Sequence, residues 1–143
     1  MGLMVDTNVF IKFEKSSKPV DLSPWEPSEK VYISVVTVSE LLMGVHRADT
    51  EERKQRRSAF IEAVISGVAV LDFTVASARL HAEIYAELAK KGQLIGAHDL
   101  IIAATARQHD LPILTDNFDE FSRVPSLRVI PFVTSGPSSR LTS

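Results

Sequence analysis

Short apolar runs alternate with longer segments of helical periodicity along this chain, and this alternation is the strongest constraint on its fold. Each apolar run has the length of a β-strand, and each intervening segment repeats its apolar residues every three or four positions. Strands that alternate with helices favour an α/β fold around a mostly parallel sheet. The strands are predicted over residues 2–6, 31–34, 68–73, 111–115 and 128–131.

The predicted helices have recognisable starts and stops. Thr7 or Asn8 is a candidate cap for a first helical turn, and a second helix is predicted to begin near Thr37. Thr74 is a candidate cap for a helix that stops at Gly92, because glycine tolerates the left-handed conformation that often follows a helix. Further helices are predicted over residues 51–65 and 97–109.

The length of 143 residues predicts one domain over residues 1–132. Residues 133–143 are rich in Ser, Thr, Gly and Pro, and we expect them to form a disordered tail. A domain of this size buries about 68–70% of its unfolded surface, so it needs no disulfide or structural metal for stability.

The absence of cysteine excludes disulfides, thiolate metal sites and cysteine nucleophiles. It agrees with a reducing compartment. No apolar run is long enough to cross a membrane, and none opens the chain as a secretion signal. We therefore expect a cytoplasmic protein with no membrane partner.

The net charge of −2 gives no overall indication of nucleic-acid binding, since such proteins usually carry a basic excess. Acids gathered around a bound cation are neutralised by it, however, and local basic groups can still contact phosphate. Lys12, Lys15 and Lys18 are candidates, as are the four basic residues within 53–57. The alternative for all of them is an ordinary solvated surface.

Four acids follow strands or begin helices in the predicted fold. Asp6 ends the first strand and Asp116 follows the fourth, so the two converge if these strands are neighbours. Glu40 lies one turn into the helix after the second strand, and Asp99 lies in the first turn of its helix. Carboxylates are the ligands that hard cations such as Mg²⁺ prefer. Together these acids predict a cation site at one edge of the sheet.

Each acid also has a structural alternative. Asp6 could cap the first helix, and Glu40 could close a capping box with Thr37. Asp99 could serve only the helix dipole, and Asp116 could be a turn former. Taken singly, none of them identifies a site. Their joint placement is what favours one.

Four segments of the chain together resemble the PIN-domain ribonucleases, and specifically the VapC-type toxins of prokaryotic toxin–antitoxin pairs. The segments occur in the order of that family and span the chain from Leu3 to about Pro131. The third is the most specific and the first is short. They are residues 4–8 (MVDTN), 33–41 (ISVVTVSEL), 96–104 (GAHDLIIAA) and 114–121 (LTDNFDEF).

The resemblance implies a three-layer α/β/α fold and an endonuclease that cuts RNA with Mg²⁺ or Mn²⁺. It implies that Asp6, Glu40 and Asp99 are the metal-site acids. A VapB-like antitoxin partner and a homodimer are implied as well. The corresponding mechanism is hydrolysis of a phosphodiester by water that the ion activates.

The chain departs from the family at the fourth acidic position. That position falls two residues after Thr115, where this sequence has Asn117. We predict that the neighbouring Asp116 is the functional acid. Asn117, Asn8 and Thr115 are then expected to hydrogen-bond the metal ligands or the substrate. His98 is expected to point away from the site, because adjacent helix residues face different directions.

Other functions meet specific obstacles in the sequence. A phosphatase with Asp6 as nucleophile would need a second acid two residues later, where Asn8 stands. A receiver domain would need paired early acids and a late strand-end lysine, and neither is present. The alternative from another class is a non-catalytic RNA-binding or protein-interaction module on the same fold. Such a module has no need to keep three like charges close together.

Overall fold

The computed structural model describes residues 2–25 and 30–133. Of the predicted disordered tail, residues 134–143 lie outside this part of the chain. The described residues form five strands and six helices. These are β1 (Gly2–Val5), α1 (Thr7–Lys15), β2 (Lys30–Ser34), α2 (Val35–His46), α3 (Glu51–Gly67), β3 (Ala69–Leu71), α4 (Val75–Lys90), α5 (Ala97–Gln108), β4 (Ile113–Thr115), α6 (Phe118–Phe121) and β5 (Val129–Pro131).

All five strands are parallel and follow the order β3-β2-β1-β4-β5. The first strand is therefore central, with β2 on one side and β4 on the other. The order of elements along the chain confirms the predicted alternation. Two predicted strands are too long, since β3 covers only residues 69–71 and not 68–73, and β4 covers 113–115 and not 111–115.

Helices cover both faces of the sheet and make the three-layer α/β/α fold that was expected. Met4 of β1 packs with residues of α4 and α5 on one face. Leu3 and Val5 pack with residues of α1, α2 and α3 on the other. Successive residues of a strand point to opposite faces of the sheet, and the apolar core is therefore divided into two halves by the sheet.

The first two helices begin earlier than predicted, directly at the strand ends. Asp6 caps α1, because its carboxylate accepts a hydrogen bond from the backbone N–H of Thr7 at 2.8 Å. Ser34 caps α2, with its hydroxyl accepting from the N–H of Val36 at 3.1 Å. The predicted start near Thr37 is thus wrong, because the last residue of β2 itself supplies the capping oxygen.

The caps predicted for the fourth helix are confirmed. The hydroxyl of Thr74 accepts from the N–H of Ser77 at 3.2 Å at the start of α4. Gly92 follows the helix with φ +67°, a conformation that side chains disfavour. The short helix α6 was not predicted. Among the helices that the structure describes, none combines the length and apolar character needed to cross a membrane.

Candidate active site

The first and fourth strands bring Asp6 and Thr115 to the same edge of the sheet. In the parallel register Val5 pairs with Leu114, and the N–H of Asp6 donates to the carbonyl of Leu114 at 3.0 Å. The hydroxyl of Thr115 donates to Asp6 Oδ2 at 2.8 Å. The two strands are neighbours, which was the condition for their terminal residues to converge.

Asp6 is both a helix cap and a site carboxylate. Its Oδ1 accepts from the Thr7 N–H at the start of α1, while its Oδ2 accepts from Thr115. The side chain is 4% exposed, so both hydrogen bonds act in a largely desolvated place. The capping alternative for Asp6 is thus correct without excluding a role in the site.

Glu40 is held between the first and fifth helices. Its Oε1 accepts from the hydroxyl of Thr7 at 2.5 Å, and its Oε2 lies 3.0 Å from Nδ1 of His98. The hydroxyl of Thr37 lies 3.0 Å from that of Thr7 and adds a polar neighbour to the same group. The capping-box alternative for Glu40 is wrong, because Thr37 lies inside α2 and Glu40 turns away to the edge of the sheet.

Asp99 shares its surroundings with an acid that the sequence analysis did not single out. Asn117 Nδ2 donates to Glu120 Oε2 at 2.9 Å and lies 3.5 Å from Asp99 Oδ2. The N–H of Gly96 donates to Glu120 Oε1 at 2.7 Å. Glu120 is thereby fixed beside Asp99 at the start of α5. The signal in the sequence was its spacing of three residues from Asn117, which a helical turn brings together.

Asp116 faces a different neighbour from Asn117. Its Oδ2 lies 3.0 Å from Nζ of Lys12 on α1. Its Oδ1 is buried and has no hydrogen-bond partner among the described residues. Asn117 turns to Asp99 and Glu120 instead, and its N–H donates to the Thr115 hydroxyl at 2.9 Å. Asp116 and Asn117 therefore face different parts of the site. Asp116 contacts α1, whereas Asn117 contacts the acids near the start of α5.

Burial, together with the charges of neighbouring acids, raises the pKa values of Asp6 and Asp99. Burial raises the pKa of Asp6 to about 7, and the charges of Asp99 and Asp116 add to this, against the hydrogen bonds from Thr115 and Thr7. For Asp99, burial followed by the charges of Glu120 and Glu40 raises the pKa to about 6. Loss of solvation on burial is the main cause in both cases, and repulsion from neighbouring carboxylates adds to it.

Hydrogen bonds change the pKa of Glu120 in the opposite direction. The amide of Asn117 and the N–H of Gly96 stabilise its ionised form and lower the pKa of that carboxyl. Glu120 thus keeps its negative charge beside Asp99.

A cavity of about 310 Å³ opens over this edge. Its inner end carries the carboxylates of Asp6, Glu40 and Asp99, together with His98. The sequence analysis expected His98 to point away, and this was wrong: the first turn of α5 faces α2 closely enough for both His98 and Asp99 to line the cavity. The remaining lining residues are Thr7, Asn8, Ile11, Met43 and Arg47.

The donor chemistry of the inner end fits a hard divalent cation. All three carboxylates offer oxygen, and a cation would relieve the repulsion that raises the pKa of Asp6 and Asp99. As the side chains stand within residues 2–25 and 30–133, no three His, Asp or Glu residues converge on one point as a complete ligand set. The fit therefore lies in the type and charge of the donors.

Comparison with known proteins identifies the family. The family model described as PIN domain matches residues 3–127. The chain belongs to the PIN-domain family. Within that family it is 38% identical over 130 residues to a ribonuclease VapC of Rickettsia bellii, a match that covers 91% of this chain and 96% of the relative. It is 39% identical over 130 residues to a tRNA(fMet)-specific endonuclease VapC of Shigella flexneri, with 90% and 96% covered.

Solved structures similar to this PIN domain come from VapBC complexes. A DNA-bound VapBC of Salmonella typhimurium contains a chain that matches with a TM-score of 0.81 and 32% identity, covering 92% of this chain and 98% of that one. A VapBC2 of Rickettsia felis bound to a promoter DNA fragment matches with a TM-score of 0.82 and 25% identity, covering 93% and 100%. The resemblance drawn from the four sequence segments is confirmed.

Proposed function

We propose that this PIN domain is a divalent-metal-dependent endoribonuclease and acts in the cytoplasm as the toxin of a VapBC-type toxin–antitoxin pair. The observation that carries the proposal is the joint placement of Asp6, Glu40 and Asp99 on one cavity wall. Burial and the charges of neighbouring acids both disfavour the ionised forms of Asp6 and Asp99, and a bound cation would offset both effects. RNA as substrate and a VapB-like antitoxin as partner are supported by the names of the relatives.

The metal would be Mg²⁺ or Mn²⁺, held by Asp6, Glu40 and Asp99. When bound, it supplies Lewis acidity, which lowers the pKa of water and offsets charge on phosphoryl oxygens. The protein's own contribution is orientation. Thr7 and Thr115 fix both oxygens of Asp6, and Thr7 also fixes one oxygen of Glu40. Carboxylates that are already oriented lose little freedom when they bind a ligand.

His98 and Asn117 hold the other two acids in place. His98 fixes the second oxygen of Glu40, and Asn117 links Asp99 to Glu120. These contacts join α2, α5 and the segment after β4 around one cavity. Asn8, which also lines the cavity, is available to hydrogen-bond the substrate or a metal ligand.

The fourth acid has two candidates with different geometry. Glu120 is fixed beside Asp99 and remains ionised, so we assign it to the metal-site acids as a further negative charge. Asp116, the residue predicted from the sequence, adds its charge to that felt by Asp6 and pairs with Lys12. It stays a predicted functional acid on the other side of the site.

The test is cleavage of RNA by the purified chain with and without metal. We expect cleavage with Mg²⁺ or Mn²⁺ and none in excess EDTA. Asp99→Asn should abolish cleavage, whereas Asp119→Asn, a matched loss of charge at an exposed position, should not. Cleavage that continues in EDTA, or that survives Asp99→Asn, would contradict the proposal and favour a different use of the same fold.

A further inference from the structure

The cavity has a second end whose chemistry differs from that of the acids. Met43 and Arg47 line it and follow Glu40 by about one and two turns along α2, and Ile11 of α1 also lines the cavity. We propose that this outer end is a nucleotide subsite, which binds the nucleotide adjacent to the phosphodiester that is cut. The proposal rests on the proposed function, since its ligand is part of the same RNA. It names the residues that would hold the RNA next to the bond that is cut.

The helix α2 connects the two ends of the cavity. Glu40, Met43 and Arg47 are three and four residues apart in turn, so they lie on one face of the helix. The seven residue steps from Glu40 to Arg47 span about 10 Å along the axis, at about 1.5 Å per step. An RNA whose reacting phosphodiester lies near Glu40 and whose chain continues along this face of α2 would therefore bring its next nucleotide to Arg47. Ile11 of α1 supports it from the other wall.

The side chains at the outer end suit a phosphate and a base. Arg47 is exposed, and its guanidinium forms no ion pair with another described residue. A guanidinium binds phosphate oxygens in pairs and also stacks on planar rings. Met43 is 42% exposed, an unusual position for a long apolar side chain on the wall of a charged cavity. Its flexible thioether can adapt to the face of any base.

Charge and size favour a nucleotide over a protein segment at this end. Arg47 is the one cationic side chain of Arg or Lys type that lines the cavity in the described structure, and it lies away from the acids that repel phosphate. A volume of about 310 Å³ lies at the lower limit of the range typical of small-molecule sites, and it is too small for a packed helix. The ligand that gains most from Arg47 is therefore a single phosphate-bearing unit.

The experiment measures KM and kcat on a labelled single-stranded oligoribonucleotide of mixed sequence. We expect Arg47→Ala to raise KM about tenfold or more, because one charge-assisted contact is lost, with a smaller change in kcat. Arg47→Lys should recover part of this loss. The matched control is Arg56→Ala. The structure pairs Arg56 with Glu52 on the exposed side of α3 and does not place it in the lining of this cavity, which favours the solvated-surface alternative for this residue, so its loss should leave KM unchanged.

Shortened substrates locate the subsite. When nucleotides are removed one at a time from each end, the penalty of Arg47→Ala should disappear once the RNA no longer reaches Arg47. Affinity for Mn²⁺, measured by calorimetry, should be the same in Arg47→Ala and the wild type, because Arg47 is not a metal ligand. A KM for Arg47→Ala equal to that of Arg56→Ala would overturn the subsite, even if the wild type cleaves RNA.

Binding separates the subsite from the reaction itself. Fluorescence anisotropy with the same RNA is measured in an Asp99→Asn background, with and without Arg47→Ala, so the subsite is judged even if the wild type cleaves nothing and the proposed function fails. Equal affinities would overturn the proposal. So would an Arg47→Ala variant with unchanged RNA binding and weaker inhibition by a co-expressed antitoxin, which would assign the outer end to the protein partner.

Discussion

Asp6 combines structural and chemical demands that oppose each other. As the cap of α1 it satisfies a backbone N–H, which stabilises the fold. As a buried acid among other acids it has a pKa of about 7 instead of its ordinary 3.8, which means that its ionised form destabilises the fold. Asparagine keeps the size of this side chain, and its amide oxygen can still accept from the Thr7 N–H. Its NH2 group cannot accept from Thr115 and can only donate to that hydroxyl, so the charge is removed and one hydrogen bond is reversed. The substitution therefore separates the two demands.

We predict that Asp6→Asn abolishes cleavage and stabilises the metal-free protein at neutral and higher pH. Between the unfolded pKa and the folded pKa of about 7, the folded wild type retains a proton that the unfolded chain has released. Its free energy of unfolding therefore falls as pH rises through this window. The variant cannot ionise at this position and so avoids this loss. At about pH 8 its free energy of unfolding should exceed that of the wild type by on the order of 4 kcal/mol at most.

Urea denaturation of both proteins in EDTA, at several pH values, measures this effect. Below about pH 3, where Asp6 is mostly protonated in both states, the two free energies of unfolding should approach each other. A variant that is much less stable than the wild type at every pH would show that capping by the charged form is the main role of Asp6.

A second residue-scale prediction concerns the fourth acid. Glu120→Gln should weaken Mn²⁺ binding and slow cleavage, since Glu120 adds negative charge beside Asp99. Asn117→Ala should act in the same direction, because it releases both acids from their shared amide. Asp116→Asn is predicted to slow cleavage through the loss of its charge near Asp6. Asp119→Asn serves as the exposed control.

Calorimetric Mn²⁺ titrations and cleavage rates for these variants distinguish the two acids. If Asp116→Asn behaves like the wild type while Glu120→Gln loses metal binding, the assignment of Asp116 made from the sequence is wrong. If the reverse is observed, the contact between Glu120 and Asn117 is only structural.

At the scale of elements, the junction between β1 and β4 depends on one buried hydroxyl. Thr115 donates to Asp6 and accepts from the N–H of Asn117, and its side chain is fully buried. The hydroxyl thus joins the end of β1, the start of α1 and the segment that carries Asn117. Valine has nearly the same shape as threonine and cannot form either hydrogen bond.

We predict that Thr115→Val lowers the free energy of unfolding by about 1–3 kcal/mol, because a buried donor and a buried acceptor lose their partner. It should also slow cleavage, since Asp6 and Asn117 lose their common anchor. Thr115→Ser keeps the hydroxyl and is the matched control, with a smaller loss from the missing methyl group. Equal stability of the valine variant and the wild type in urea would contradict this account of the junction.

At the scale of the whole molecule, we predict a homodimer, as the family resemblance implies. An exposed aromatic patch, formed by α4 and the segment just before it, is a candidate contact between the two subunits. Phe73 is 40% exposed and packs edge-on against His81, and Tyr85, 50% exposed, follows His81 by one helical turn. Exposed apolar groups of this kind often mark protein interfaces.

Light scattering at micromolar concentration should give the mass of a dimer for the wild type. Tyr85→Glu should shift the population to the monomer, because burial of its charge in the contact would be costly. Tyr85→Phe should leave the dimer intact. A wild-type monomer under these conditions would contradict the homodimer, and an unchanged dimer in Tyr85→Glu would place the contact elsewhere.

Local patterns in the sequence were sufficient to predict the layered α/β fold and the positions of Asp6, Glu40 and Asp99 on it. Strand and helix periodicity depend on neighbouring residues, and parallel strands bring their carboxyl ends to one edge of a sheet. The start of α2 was predicted wrongly because two polar residues, Ser34 and Thr37, could each have served as its cap. Only the actual end of β2 selects between them.

Tertiary structure alone decided which side chains meet at that edge. Thr115 reaches Asp6 across 109 positions of sequence, and His98 reaches Glu40 across 58. Glu120 joins the acids because the short helix α6 returns it to the start of α5. Such partners are set by the packing of helices on the sheet, which sums many weak apolar contacts over the whole chain. Local periodicity does not encode that sum of contacts, so the contact of His98 with Glu40 and the place of Glu120 beside Asp99 could not be predicted from it. Thr115 and Asn117 had been expected beside the ligands because they lie at the end of the fourth strand.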